Sequence, residues 1–356
     1  MKANAISNNA KKILFSTLLF SCFLASGQIG EKFHLSGSAD VYWKTNLTGT
    51  NEAFQDQEEN SYFNTPPTAF ANRSGFSLGM ANIIASYQGE KVGFVADLAF
   101  GPRGEDAVFL STGSTNIVNQ LYVYWNVSEK LRLTMGNFNT FLGYEVISPV
   151  GNSNYSTSYM FSYGPFSHTG IKMDLTFSED LTLMLAVMNS TDYTEINLDG
   201  SYTAGAQLGY KGQYLNMIYG EQTGVNGTTF QIDYTGGFML SSNLRLGVNS
   251  TYNTTDGAGF YGFALYPEFT ASDRFSLGLR GEYFKEFEGG VGAFGLATDQ
   301  DAHAFEITLT GNYKIEALTF KPELRFDTAS EDVFYDMDNV PNSSLASFLV
   351  AALYAF

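Results

Sequence analysis

From Phe33 onward the chain alternates apolar and polar residues with a period of two. Phe33, Leu35, Gly37, Ala39, Val41 and Trp43 fall on one face of the first segment, and His34, Ser36, Ser38, Asp40, Tyr42 and Lys44 on the other. Such a run outlasts the usual soluble strand of about five or six residues. It fits a tilted strand crossing a bilayer, which takes about 9–11. The pattern returns near 76–87, 92–100, 117–127, 131–138, 169–177, 181–188, 203–210 and 214–220. It continues at 229–238, 244–252, 261–269, 275–284, 304–313, 318–327 and 345–356, which makes sixteen strands, an even number.

The connections constrain the fold further. Seven are short, at 88–91, 128–130, 178–180, 211–213, 239–243, 270–274 and 314–317. Between them lie eight mostly longer, polar, Gly-rich loops at 45–75, 101–116, 139–168, 189–202, 221–228, 253–260, 285–303 and 328–344. Short turns at one end and long loops at the other are the plan of an all-β, transmembrane, up-and-down antiparallel barrel in a bacterial outer membrane. A soluble sandwich or propeller has no reason to sort its connections this way.

Charge placement tests the register independently. Asp40, Lys44, Asp97, Arg132, Lys172, Asp174, Asp233, Arg245, Glu268, Arg280, Glu282, Glu306, Lys321, Glu323 and Arg325 all fall on the polar phase. The other phase carries Leu131, Leu133, Ile171, Met173, Leu175, Leu277, Leu279, Leu318, Phe320 and Leu324. An Arg or Lys facing the bilayer midplane costs about 2–4 kcal/mol, so the charges belong in a wet lumen. Glu221 is placed at a rim. Aromatic residues at strand ends (Phe33, Trp43, Phe100, Trp125, Phe269, Phe275, Tyr283, Tyr313) suit interfacial girdles. Pro267 and Pro322 strain the scheme, because proline cannot donate to a ladder, and bulges are expected there. The last segment alternates through Phe348, Val350, Ala352 and Tyr354 to a terminal Phe356. A closed barrel needs that strand, since an open edge in lipid leaves unpaired backbone groups.

Residues 1–27 read as a secretory signal peptide, leaving 28–356 as the barrel. Lys2, Lys11 and Lys12 precede an apolar run at 13–25 and a small-x-small site, Ala25-Ser26-Gly27. The run is too short for the roughly 20 residues of a membrane helix. Cys22, the only cysteine, lies inside it; a lipoprotein reading of residues 19–22 fits poorly because Phe20 is bulky. A net charge of −17 argues against a nucleic-acid partner. Three His and one Cys leave little material for a metal or cofactor, and none is expected. Acidic loops (Glu52, Asp56, Glu58, Glu59; Asp299, Asp301; Glu331, Asp332, Asp336, Asp338) lack EF-hand spacing and read as solvated loops beside lipopolysaccharide.

The stretch Gly136-Asn137-Phe138-Asn139-Thr140-Phe141-Leu142-Gly143-Tyr144-Glu145 resembles a motif of the OmpL-like β-barrel porins. So do Asn154-Tyr155-Ser156-Thr157-Ser158-Tyr159-Met160-Phe161 and Gly164-Pro165-Phe166-Ser167-His168-Thr169-Gly170. The resemblance implies an outer-membrane channel for passive diffusion of small hydrophilic solutes, without naming one. The ending on Phe356 resembles the signal that barrel assembly machinery reads. Trimers are common among general porins, so a homotrimer is an expectation by analogy.

The third loop, 139–168, holds Phe141, Tyr144, Tyr155, Tyr159, Phe161, Tyr163 and Phe166 with one charge, Glu145. So aromatic a loop wastes its burial on an outer surface; it is expected to fold into the lumen and narrow the pore. Tyr144 and Glu145 then form the constriction, with Arg132, Lys172, Arg245, Arg280 and Arg325 as wall partners for Glu145. A carboxylate opposite bases would set up a transverse field that filters charge. Alternatively Glu145 is a structural partner that fixes the loop. An enzyme is disfavoured: Ser167 and His168 are strand neighbours facing opposite ways, and no G-x-S-x-G elbow occurs. The remaining rival to a porin is a closed or filled barrel serving as adhesin or anchor.

Overall fold

The computed structural model describes residues 32–55, 61–295 and 299–356; the leader at 1–27 and Asp56, Glu58 and Glu59 lie outside them. Sixteen antiparallel strands close into one barrel. In chain order they are β1 (Phe33–Asn46), β2 (Gly75–Gln88), β3 (Val92–Phe100) and β4 (Val118–Ser128). Then come β5 (Leu131–Asn139), β6 (Ser167–Thr176), β7 (Leu181–Met188) and β8 (Thr203–Tyr210). β9 (Gln213–Glu221), β10 (Thr228–Met239), β11 (Leu244–Thr255) and β12 (Ala258–Ser272) follow. β13 (Phe275–Phe287), β14 (Ala302–Ile315), β15 (Leu318–Ala329) and β16 (Ser344–Ala355) complete the ring. Each strand pairs with its sequence neighbours, and β16 pairs with β1 from Ser38↔Ala355 to Asn46↔Ser347. Phe356 carries the closure one step further, exchanging both backbone hydrogen bonds with Gly37 (3.1 and 3.0 Å). No backbone edge is left to the lipid, as a barrel requires.

The register places the charges as the alternation demands. Arg280 faces Thr308, Glu282 faces Glu306, Thr310 faces Glu323 and Arg132 faces Asp174 across adjacent strands, all on the inner phase. The opposite phase is bare: Phe76, Leu78, Val123, Met135, Val187, Phe263, Ile307 and Leu324 are exposed on the outer wall.

Two expectations fail. The span 253–260 is not a long loop. β11 runs into β12 through Asp256 and Gly257, whose φ of 52° and 93° are those of a two-residue hairpin turn. An Asp-Gly pair meets the need for positive φ at both positions, so the rim is low at this point of the long-loop end. Nor do the prolines sit in bulges. On either side of Pro267 the pairs Leu265↔Gly281 and Glu268↔Gly278 keep one register, as Thr310↔Glu323 and Tyr313↔Phe320 do around Pro322. Each proline pairs normally with its other neighbour, at Leu246↔Pro267 and Pro322↔Val350, so the missing N–H opens one ladder without shifting it.

Among the described residues, helix is confined to short turns in two loops: α1 (Pro102–Ala107) in the second, and α2 (Tyr159–Tyr163) in the third, where the Ser158 side chain accepts from the Phe161 N–H. The first and eighth loops interlock, with Asn64 donating to the Tyr335 carbonyl (2.6 Å) and accepting from its N–H (3.1 Å).

Candidate functional site

The packed interior is the lumen, and the third loop fills its waist. Tyr155 and Tyr159 are fully buried, with Leu142, Glu145, Ile147, Met160, Phe161 and Phe166 nearly so. The wall that receives the loop is β12–β16 with β1. Its carboxylates accept loop N–H groups: Glu282 takes Tyr159 (2.7 Å) and Met160 (2.8 Å), and Glu323 takes Tyr155 (2.6 Å) and Ser156 (3.1 Å). Its cations donate to loop carbonyls: Arg280 to Ser156 (2.7 Å), Arg325 to Thr157 (2.8 Å) and Lys321 to Pro149 (2.9 Å). Hydroxyls of the two buried tyrosines reach the same wall, Tyr155 to Asp40 (2.5 Å) and Tyr159 to Asp327 (3.0 Å). Charged groups alternating along a strand satisfy an irregular backbone that would otherwise be buried unpaired.

Among the expected partners of Glu145, the structure brings up one. Arg280 donates to Glu145 at 2.7 Å and also engages Glu306, with the guanidinium fully buried. The other Glu145 oxygen accepts from the Ser158 N–H at 2.8 Å and from the Ser158 hydroxyl. Arg325 is spent on Asp327 (2.8 Å) and Thr157. Arg245 donates to the Tyr144 hydroxyl (2.7 Å), while the Tyr144 ring stacks on Tyr266 with centroids 4.3 Å apart. Gly247 permits this, because a Cβ there would lie 2.2 Å from the Tyr144 hydroxyl oxygen. Arg132 and Lys172 do not face Glu145. Arg132 binds Asn126 (2.8 Å) and lies over the Tyr124 ring, and Lys172 lies 3.5 Å from Asp174. The reason is topological: β5 and β6 are on the other side of the ring from β13, toward which Glu145 turns.

That other side, β7–β11, is different in kind. Along β10 and β11, with Gln207 and Asn216 beside them, its inner phase is a hydrogen-bonded column of hydroxyls and amides. Thr229 meets Thr255 (2.6 Å), Asn253 donates to Gln231 (3.1 Å), and Gln231 donates to Thr251 (3.2 Å). Lower down, Asn249 and Asn216 donate to Asp233 (2.6 and 2.8 Å), and Gln207 donates to Asn216 (2.8 Å). The loop meets this wall through fewer polar contacts: Gly143 N–H to Asp233 (2.9 Å), Gln207 to the Phe141 carbonyl (3.2 Å) and Arg245 to the Tyr144 hydroxyl. An apolar cluster of Phe138, Leu142, Met184, Ala186, Met188 and Ile218 closes one side. The seam between Leu142–Gly143 and Gln231, Asp233, Asn249 and Thr251 holds a gap of about 10 Å³, room for about one water. Above it, a chamber of about 1000 Å³ opens toward the long loops. Below, one of about 350 Å³ opens toward the short turns, lined by Asn152, Ser153, Glu268, Asn312 and Lys321.

His168 is buried under Phe138 and Phe141, its Nε2 3.0 Å from the Thr140 hydroxyl, so it takes part in seating the loop. Asp192, in the loop between β7 and β8, accepts from the Phe166 and Ser167 N–H groups (2.7 and 2.9 Å) where the third loop rejoins the wall. Burial pushes its carboxyl up to about 6. No group of metal-ligating side chains occurs among the described residues.

A family model described as "Putative beta-barrel porin-2, OmpL-like" matches residues 32–356. No protein in a curated collection matches the sequence significantly. Among solved structures, the fold is similar to a loop-deletion mutant of OmpT, an outer membrane protein of Vibrio cholerae, at 10% identity and a TM-score of 0.52. The match covers 91% of this chain and 99% of that one. The trimer form of in-vitro folded OmpT from the same organism gives 10% identity and a TM-score of 0.51, covering 91% and 99%. At such identities the likeness carries the fold alone.

Proposed function

Since the chain belongs to the OmpL-like family of β-barrel porins and is an integral outer-membrane protein, we propose that small hydrophilic solutes diffuse passively through its lumen, past a constriction made by the third loop. The observation that supports this is the seating of residues 140–166: gripped by buried charges of the β12–β16 wall, held by fewer bonds on β7–β11, with an open chamber on either side. Tyr144 and Glu145 hold the narrow point. Arg280 and Arg325 anchor the loop behind it, Arg245 orients Tyr144, and Arg132 and Lys172 charge the part of the lumen nearer the short turns. Solutes follow the seam along Gln231, Asp233, Asn249 and Thr251, and it widens when the Gly143 N–H leaves Asp233. Sixteen strands leave space for an aqueous route of this kind. The partners of this reading are outer-membrane lipid, lipopolysaccharide at the acidic loops, the assembly machinery at Phe356, and two further copies in a trimer.

Planar-bilayer recording of the refolded protein tests the proposal. Stepwise, ohmic openings are expected, grouped in threes for a trimer. Silence from protein shown to be folded and inserted would overturn it in favour of a filled barrel acting as adhesin or anchor.

A further inference from the structure

We propose that the chamber at the long-loop end is a binding site for short, uncharged saccharides, a mouth that selects the solutes entering the seam. This names a solute class for the diffusion reading above and rests on it. The argument begins with the wall chemistry. A sugar hydroxyl both donates and accepts, so the groups that match it best are hydroxyls and primary amides, which do the same. The chamber presents a run of these: Thr229 and Thr255, paired at 2.6 Å, with Gln231 and Asn253 below them and Gln222, bonded to Thr191, also on the lining. A cation would need only acceptors, and the amide nitrogens here would be wasted on it.

Charge then narrows the choice. Among the described residues no lysine or arginine lines the chamber, whereas Asp256, Glu288 and Asp192 do. Carboxylates with no basic neighbour on the lining disfavour anions, so phosphorylated sugars and sugar acids are rejected. Apolar surface is supplied by the rings of Phe109, Tyr163 and Tyr193, a mixture of aromatic faces with a few convergent polar groups that is typical of small-molecule sites. Volume agrees: about 1000 Å³ is at the upper end of ligand pockets, which span roughly 300–1,000 Å³. Entry is over the low rim. The two-residue turn at Asp256–Gly257 lines the chamber, so β11 and β12 put no long loop over its mouth. The column continues downward through Thr251, Asn249 and Asp233 to the waist, so a sugar leaving the chamber keeps hydrogen-bond partners along the seam.

Titration calorimetry on the full-length protein folded in lauryldimethylamine oxide, which carries no sugar headgroup, tests this without requiring conduction. The probes are glucose, sucrose, raffinose and maltotriose, with glucose 6-phosphate as the anionic control. Saturable binding of at least one neutral sugar is expected. That binding should weaken about tenfold in Asn253→Ala, the effect of losing one or two hydrogen bonds, with glucose 6-phosphate inert. The variant's fold is checked by its resistance to unfolding in dodecyl sulfate without heating. Absence of binding by all four neutral sugars, equal binding of the phosphate, or binding unchanged in both Asn253→Ala and Thr255→Val would overturn the proposal. Bilayer recording separates the two readings. Conductance without sugar binding would leave the diffusion reading standing and refute the saccharide site. Sugar binding to a silent, inserted barrel would keep the site and refute diffusion.

Discussion

The two halves of the lumen wall face the same loop and treat it oppositely. Across β13–β15 the inner face near the waist carries a cluster of buried charges: Arg280, Glu282, Glu306, Glu323, Arg325 and Asp327 are all at most 5% exposed. On β8–β11 the matching positions are mostly Thr, Asn and Gln, with Ile218 and one carboxylate, Asp233, among them. Buried charges are tolerated only when paired and fully hydrogen-bonded, and each charge on the first half meets loop backbone or an opposite charge. Neutral amides impose no such demand and can exchange partners with water or a passing solute at low cost. One half is therefore a clamp, and on the proposed function the other is the track, within a single sheet.

The most damaging single change to the clamp should be Arg280→Met. It strands Glu145 and Glu306 in a buried site, a cost of about 3–5 kcal/mol. The expected outcome is a clearly lower urea midpoint together with larger and noisier single-channel openings. If stability and conductance both match the wild type, the clamp is not holding the loop. The next contrast sets the halves against each other. Asp233→Asn, on the track, should shift the reversal potential in a salt gradient toward anions more than Glu145→Gln does, because Arg280 neutralises Glu145, whereas Asp233 is held by the neutral donors Gly143, Asn216 and Asn249. The reverse order would make Glu145 the filter and Asp233 a bystander.

A smaller effect follows from Asp192, which ties the loop's exit to the track side. Its carboxyl is raised by burial from 3.8 to about 6. A raised acid binds more protons folded than unfolded, so its stabilising contribution is complete below pH 4 and is lost as the pH climbs through 6. Unfolding midpoints should fall across that window in the wild type and flatten in Asp192→Asn; parallel pH profiles would refute the assignment. Smallest of all should be Tyr144→Phe. Losing the hydrogen bond to the exposed Arg245 costs about 1 kcal/mol or less, leaves the Tyr266 stack in place, and is read as a slight change in open-channel noise.

Much of this was legible in the amino-acid order. The sixteen strands emerge because both faces of each strand have a fixed solvent, lipid or lumen, and the charges within the strands obey that division except near the ends, at Glu221 and Lys285. The loop's insertion was legible in its seven aromatics. The β11–β12 turn was passed over, although Asp256-Gly257 between alternating runs is a strong hairpin signal; the polar threonines and asparagines before it made the strand end look like loop. The lumen was expected to be polar, yet Leu349, Ala351 and Leu353 line it on β16, and Met184 and Met188 on β7. Those residues make sense only once the loop covers them, since Tyr155 packs on the first group and Leu142 on the second. A last strand apolar on both faces was thus a sign of the plug. Alternation reports which side of the sheet a residue takes, and it does not report its neighbours across the lumen, so Arg280 could not be chosen over Arg132 or Lys172 as the partner of Glu145.

The central claim, that solutes pass on the neutral side of the loop, is tested most directly by cysteine accessibility in a Cys22→Ser background. Thr251→Cys lies in the seam and Thr308→Cys behind the clamp, on β14. With both variants inserted in planar bilayers, a charged methanethiosulfonate reagent should progressively block current through Thr251→Cys and leave Thr308→Cys untouched. Block of Thr308→Cys with Thr251→Cys unaffected would put the path on the other side of the loop and contradict the account.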